Sequence, residues 1–167
     1  MDHPVSKKVH ESSVEDYTYR FFPNDLNSNG TVFGGLVMGL LDRLALVVAE
    51  KHSGGTCVTA SVDALNFLAP AGIEDHLIFK AAINRVWNTS MEIGLKVIAH
   101  NPQTDQSRHI VSAYFTFVSL GENQKPRKIP VIEPETPSEK RRYAEAEIRR
   151  NLRFKHKEEI RKMRNKK

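Results

Sequence analysis

Asn27, Gly30, Thr31, Gly34, Gly35 and Asp42 fall in one short stretch of the chain, and their types suit attack on a carbonyl. An asparagine amide donates hydrogen bonds without ionising, so it can steady a developing oxyanion over a wide pH range. Gly34 and Gly35 open a helix, whose first amides have no internal acceptor, and glycine lets a ligand or another backbone come close. Asp42 stands among leucines in LVMGLLDRLALVVA, where a carboxylate is rarely buried without a partner or a task. Adjacent helix residues do not face each other, so Arg43 is an unsuitable partner. A partner elsewhere leaves a structural reading of Asp42 open. Residue type alone does not decide, and the loop ahead of the helix favours catalysis. Asn27 has its own plain reading, a loop asparagine bonding its own backbone.

These residues need a helix and a sheet to hold them. Residues 36–50 are apolar on nearly every face, as in a helix buried all round, and His52-Ser53-Gly54-Gly55 ends it. Residues 17–22 alternate and are aromatic, which predicts a strand stopped by Pro23. Residues 56–67, 76–87, 90–100 and 108–120 predict four more strands, separated by Pro, Gly and Asn-rich turns. The expectation is an α+β fold in which an antiparallel meander wraps one long central helix, its only apolar cover. Residues 1–13 read as a flexible N-terminus, 14–121 as the domain, 122–137 as an extended proline-containing linker, and 138–167 as a basic helical tail capped by Ser138.

The chain has 167 residues and a net charge of +5, a length that fits one domain with an appendage. Thirteen Lys/Arg against five Asp/Glu lie from Pro137 onward, so the preceding chain is net negative. The tail, not the domain, is basic. Such a tail could bind nucleic-acid phosphates nonspecifically, but Phe154 is its lone aromatic apart from Tyr143, which argues against base recognition. No apolar run is long enough to span a membrane, and residues 1–13 lack a signal-like apolar core, so a cytoplasmic location is expected. The single cysteine, Cys57, fits a reducing compartment and reads as a buried inert thiol. The histidines lack metal-ligand spacing, no paired-cysteine or HExxH pattern occurs, and no G-x-S-x-G elbow is present. No metal and no cofactor is expected.

The spacing Asn27-(x)2-Gly30-Thr31-(x)2-Gly34-Gly35-(x)6-Asp42 resembles the core motif of the hotdog-fold acyl-CoA thioesterases. Ser61-Val62-Asp63 with Asn66-Phe67-Leu68-Ala69-Pro70, then Asn88-Thr89-Ser90-Met91-Glu92-Ile93, and the run 144–150 are similar to later segments of that family, in the same order. The resemblance implies a hotdog fold and hydrolysis of an acyl-CoA to a free acid and CoA, with CoA as part of the substrate and no separate cofactor. Asn27 with the backbone amide of Gly35 would polarise the carbonyl, and Asp42 would act as general base or nucleophile. Gly34, Phe67, Asn88, Thr89, Ser90 and Met91, with Arg149, Arg150 and Arg153 of the tail, would bind substrate and CoA phosphates. Phe33 and Leu68 join Phe67 as candidates to line the acyl channel. Asp42 lies about 12 Å along the helix axis from its start, awkward for one carbonyl to bridge within one subunit. A site shared across a dimer, possessing Asn27 of one subunit and Asp42 of another, resolves this, and the resemblance extends it to a trimer of dimers. Hotdog dehydratases use a helix-region histidine, whereas His52 sits at the far end of this helix. The alternative of another class is a non-catalytic acyl-CoA-binding regulator.

Overall fold

Alternation of inward and outward side chains, with a period of two, organises the central strands of the sheet. A computed structural model describes residues 6–165. Strands β1 (Ser6–Lys8), β2 (Val14–Arg20), β3 (Cys57–Phe67), β4 (His76–Val86), β5 (Ser90–Asn101), β6 (Gln106–Ser119) and β7 (Val131–Glu133) are joined by helices α1 (Gly34–Ser53) and α2 (Pro137–Arg164). Five strands form an antiparallel sheet in the order β2-β4-β5-β6-β3. This differs from the simple meander expected: only β4, β5 and β6 are sequential neighbours, while β3 pairs with β6 at the far edge. The long α1 carries the chain from one sheet edge to the other, a crossing that no local pattern encodes.

Met91, Ile93, Leu95, Val97 and Ala99 of β5 face inward with Ala113, Phe115 and Phe117 of β6. They meet one face of α1, formed by Val37, Leu41, Leu44, Ala45, Val48 and Ala49 at helical spacing. The other face is open in the single chain, a correction to the helix buried all round: Met38 and Val47 are nearly half exposed, as are Val58 and Val62 of β3. The sheet's outer face is covered by α2, which buries only Ala146 and docks through charge. Arg149 grips Glu92 at 2.6 Å and Arg85 pairs with Glu147 at 3.0 Å. Arg153 pairs with Asp63. The N-cap of α2 is Thr136 rather than Ser138: its hydroxyl accepts from Glu139 N at 3.2 Å and the Glu139 carboxylate accepts from Thr136 N at 2.9 Å.

Two segments read as loose are more structured than expected. β1 pairs in parallel with β7, and Ile129, Pro130 and Ile132 of the linker are buried. Residues 1–5 of the expected flexible N-terminus lie outside the described residues. These segments cap α1 at its negative end. Lys7 Nζ donates to the carbonyls of Lys51 (3.0 Å) and His52 (2.9 Å), and Arg127 Nη2 to that of Ser53 (2.9 Å). Gly54, at φ +68°, closes the helix in the left-handed conformation that glycine tolerates.

His52 is fully buried there, with Nε2–H donating to Pro130 O at 2.8 Å and Nδ1 unpartnered. Burial, aided by the nearby Lys7 charge, pushes its pKa down despite the opposing pull of the Pro130 carbonyl and Glu11. A proton taken up at Nδ1 would find no acceptor. The unfolded chain therefore binds this proton first as pH falls, and stability declines below about pH 6.5, by up to ~1.4 kcal/mol per pH unit. Melting temperatures measured from pH 7.5 down to 5 should fall, and His52→Gln should flatten the slope. An unchanged slope in the variant would locate the acid sensitivity elsewhere.

Candidate active site

The loop ahead of α1 is shaped by Asn27. Its Oδ1 accepts from Asn29 N (2.9 Å), Thr31 N (3.3 Å) and Thr31 Oγ1 (3.2 Å), while Nδ2 lies 2.9 Å from Thr31 Oγ1. The backbone-bonding reading of this asparagine thus holds, and it does not exclude chemistry. Saturating Oδ1 fixes the amide plane and leaves one Nδ2 hydrogen uncommitted. Gly30, at φ +72°, makes the turn, and the loop is tied down through Val32 N to Ala71 O at 2.9 Å.

Gly34 and Gly35 then begin α1, and their amides have no acceptor among the described residues, whereas Phe33 N reaches Asp25 O at 2.8 Å. Two aromatic rings close on these glycines. A Cβ on Gly34 would stand 3.2 Å from Phe67 Cζ, and one on Gly35 would stand 2.5 Å from Phe33 Cε1. Asn27, Gly34, Phe67 and Leu68 line a groove of about 430 Å³ with Val32 and Ile110, apolar apart from the asparagine end. This is the form of a site that holds a chain by burial and one polar group by hydrogen bonds. Phe33 is not part of that lining; its ring covers Gly35 instead. Gly35→Ala should force that ring aside and raise KM for a substrate held in the groove severalfold, with kcat/KM as the readout; unchanged kinetics would show that the ring is free to move.

Asp42 is not in this groove. It is half-buried on the open face of α1, and its Oδ1 accepts from Thr59 Oγ1 at 2.7 Å. Thr59 went unnoticed in the sequence, and its signal lies only in the pairing of α1 with an edge strand. Beside it β3 breaks register between Thr59 and Ser61 and again between Val62 and Leu65, irregularities of the kind that aim side chains at sites. No hydrogen bond joins Asn27 to Asp42 within the chain.

Asn88, Thr89 and Ser90 sit on the β4–β5 hairpin, where Asn88 and Thr89 accept from Ile129 N (3.2 Å) and Ser119 N (3.0 Å) through their carbonyls. Met91 differs from the expectation: the alternation of β5 turns it inward and it is fully buried. The three tail arginines also divide. The Arg149 guanidinium is held by Glu92 and stacks on Tyr114 at 3.7 Å; burial, the largest single influence, lowers its pKa, but the Glu92 hydrogen bonds together with the charges of Glu92, Tyr114 and Glu145 raise it overall. Arg153 binds Asp63 and, at 3.1 Å, Thr116. Arg150 alone lacks an acid: it lies over Trp87 at 4.3 Å, next to the hairpin, with Nη1 buried and unpartnered. Among the described residues no cluster could hold a metal ion, and no helix is long and apolar enough to cross a membrane.

Comparison with known proteins agrees with this architecture. A model of the thioesterase superfamily matches residues 29–105. An uncharacterized acyl-CoA thioester hydrolase of Bacillus subtilis, YkhA, is 36% identical over 139 residues, covering 83% of this chain and 80% of its own. A solved hexameric acyl-CoA thioesterase is 34% identical with a TM-score of 0.88, over 90% of this chain and 96% of its own. The acyl-CoA hydrolase of Staphylococcus aureus, solved with butyryl-CoA, CoA and CoA disulfide, is 31% identical with a TM-score of 0.87, over 95% and 96%. That enzyme has also been solved with an aspartate, a threonine or an asparagine replaced by alanine. The chain belongs to the thioesterase superfamily, among the hotdog-fold acyl-CoA hydrolases.

Proposed function

We propose that the chain hydrolyses acyl-CoA thioesters in a site shared between two subunits, from Asn27 and Gly35 of one and Asp42 of the other. One observation carries the reading: Asn27 and Gly34, whose amide has no acceptor, end an apolar groove with Gly35 next along the helix, while the carboxylate lies on an open, apolar face. The acyl chain lies along Phe67 and Leu68. Asn27 Nδ2 and the Gly35 amide receive the carbonyl oxygen as it gains charge. Asp42, oriented by Thr59, takes a proton from water as the water attacks the carbonyl carbon. Collapse of the tetrahedral species breaks the C–S bond, and the same proton passes to the departing sulfur, giving acid and CoA. Direct attack by the carboxylate, followed by hydrolysis of the anhydride, uses the same groups.

The exposed Met38, Val47, Val58 and Val62 form the face on which a second subunit would sit, and hexameric relatives support assembly. CoA phosphates are assigned to Arg150 and the hairpin at Asn88, Thr89 and Ser90, with Arg149 and Arg153 holding α2 rather than ligand. CoA serves as substrate and product, with no further cofactor assigned.

Mixing inactive subunits tests the shared site. Asn27→Ala and Asp42→Ala should each be inactive alone, Asn27→Ala by about 10²–10³-fold in kcat. Co-expressed in equal amounts, they should recover about a quarter of wild-type turnover, because half the random dimers carry one intact site of two. Thiol release from a panel of acyl-CoAs reports it. No recovery would confine the site to one subunit, and acyl-CoA binding without turnover in the wild type would identify a regulator.

A further inference from the structure

A second cavity, of about 390 Å³, lies between the outer face of the sheet, the first turns of α2 and the segment that links β1 to β2. It shares no lining residue with the groove at Asn27, and its volume falls in the range of ~300–1,000 Å³ found for small-molecule sites.

Its floor holds an unmet hydrogen-bond acceptor. Asn84 is 3% exposed, and its Nδ2 donates to Glu92 Oε1 at 2.9 Å. Glu92 is paired with Arg149 and so presents acceptors only, which fixes the amide's orientation. Asn84 Oδ1 is left with no partner. The strand opposite is bare at this point: a Cβ on Gly94 would stand 2.6 Å from Asn84 Nδ2 and 2.8 Å from Oδ1.

The rim is cationic. Lys80 pairs with Asp16 at 3.2 Å and Arg141 with Glu145 at 2.7 Å. Lys96 and Arg142 have no ion-pair or hydrogen-bond partner among the described residues, although both line the cavity. Glu15 and Glu139 line it too, but the Glu139 carboxylate is engaged by the amides of Glu135 (2.7 Å) and Thr136 (2.9 Å). His10 at the edge lies 3.8 Å from Glu135. The arrangement suits a ligand with an anionic end for the two unpaired cations and a donor for the buried carbonyl oxygen.

We propose that this cavity is a second ligand site for a small organophosphate, its phosphate held by Lys96 and Arg142 and its head donating an N–H or O–H to Asn84 Oδ1. The inference does not depend on the hydrolase reading. Isothermal titration of the full chain with glycerol 3-phosphate, glucose 6-phosphate, adenosine 5′-monophosphate, methyl phosphate and inorganic phosphate tests it. At least one of the three donor-bearing organophosphates should bind at least ~10-fold more tightly than methyl phosphate or inorganic phosphate. The double variant Lys96→Glu/Arg142→Glu should lose that binding by at least ~10-fold while keeping the circular dichroism and melting temperature of the wild type. Equal affinity for all five probes, or undiminished binding in the double variant, overturns the proposal.

Discussion

Asp42→Asn and Asp42→Ala should each lower kcat for acyl-CoA hydrolysis by at least ~100-fold, the lower end of what a positioned general base contributes. Folding should survive both changes. Asp42 is half-buried, and its one hydrogen-bond partner, Thr59, is exposed and can turn to water when the carboxylate is lost. Melting temperature and circular dichroism should therefore stay near wild type while thiol release collapses. Thr59 gives the assignment a finer edge. Thr59→Ala leaves the carboxylate chemically intact but removes the hydrogen bond that orients it, so kcat should fall less, by about tenfold, in keeping with the loss of positioning. Thr59→Ser keeps the hydroxyl and should restore most of it. An Asp42→Asn protein turning over within twofold of wild type would remove Asp42 from the chemistry.

The second large effect is on stability. Glu92→Ala leaves Arg149, whose side chain is 20% exposed, facing the outer sheet without its carboxylate. Breaking one side of such a pair costs about 3–5 kcal/mol, or roughly 6–20 °C in melting temperature for a domain of this size. Replacing both partners with methionine should cost much less, since the penalty comes from the charge left behind. Thermal denaturation of Glu92→Ala and of the double methionine variant separates the cases. Equal losses for Glu92→Ala and the double variant would show that the pair itself, not the stranded charge, sets the cost.

The loop and helix that carry Asn27, Gly35 and Asp42 were legible because their signals are local: glycine spacing, a turn, and a carboxylate out of place in an apolar period. The fold class followed from five strand patterns and one apolar helix. Strand order was not legible, because alternation says which face a residue takes and not which neighbour it pairs with. The ion pairs of Arg149 and Arg153 were hidden for a related reason. An unpaired arginine in a sequence looks ready for phosphate, but Glu92 and Asp63 wait on distant strands for Arg149 and Arg153. Glu92 was the available clue, an acid in the otherwise apolar stretch of β5. Lys7 and Arg127 carried no comparable hint, since capping α1 needs only that two chain segments arrive at its end.

The parallel pairing of Ser6–Lys8 with Val131–Glu133 also bears on how the molecule is made. Synthesis runs from the N-terminus, so the first of these strands leaves the ribosome long before the second exists. Lys7 cannot settle onto the end of α1 as part of that clip until most of the polypeptide has emerged. A nascent chain halted before Val131 should consequently hold its central helix with a frayed last turn, and release of the final segment completes the closure.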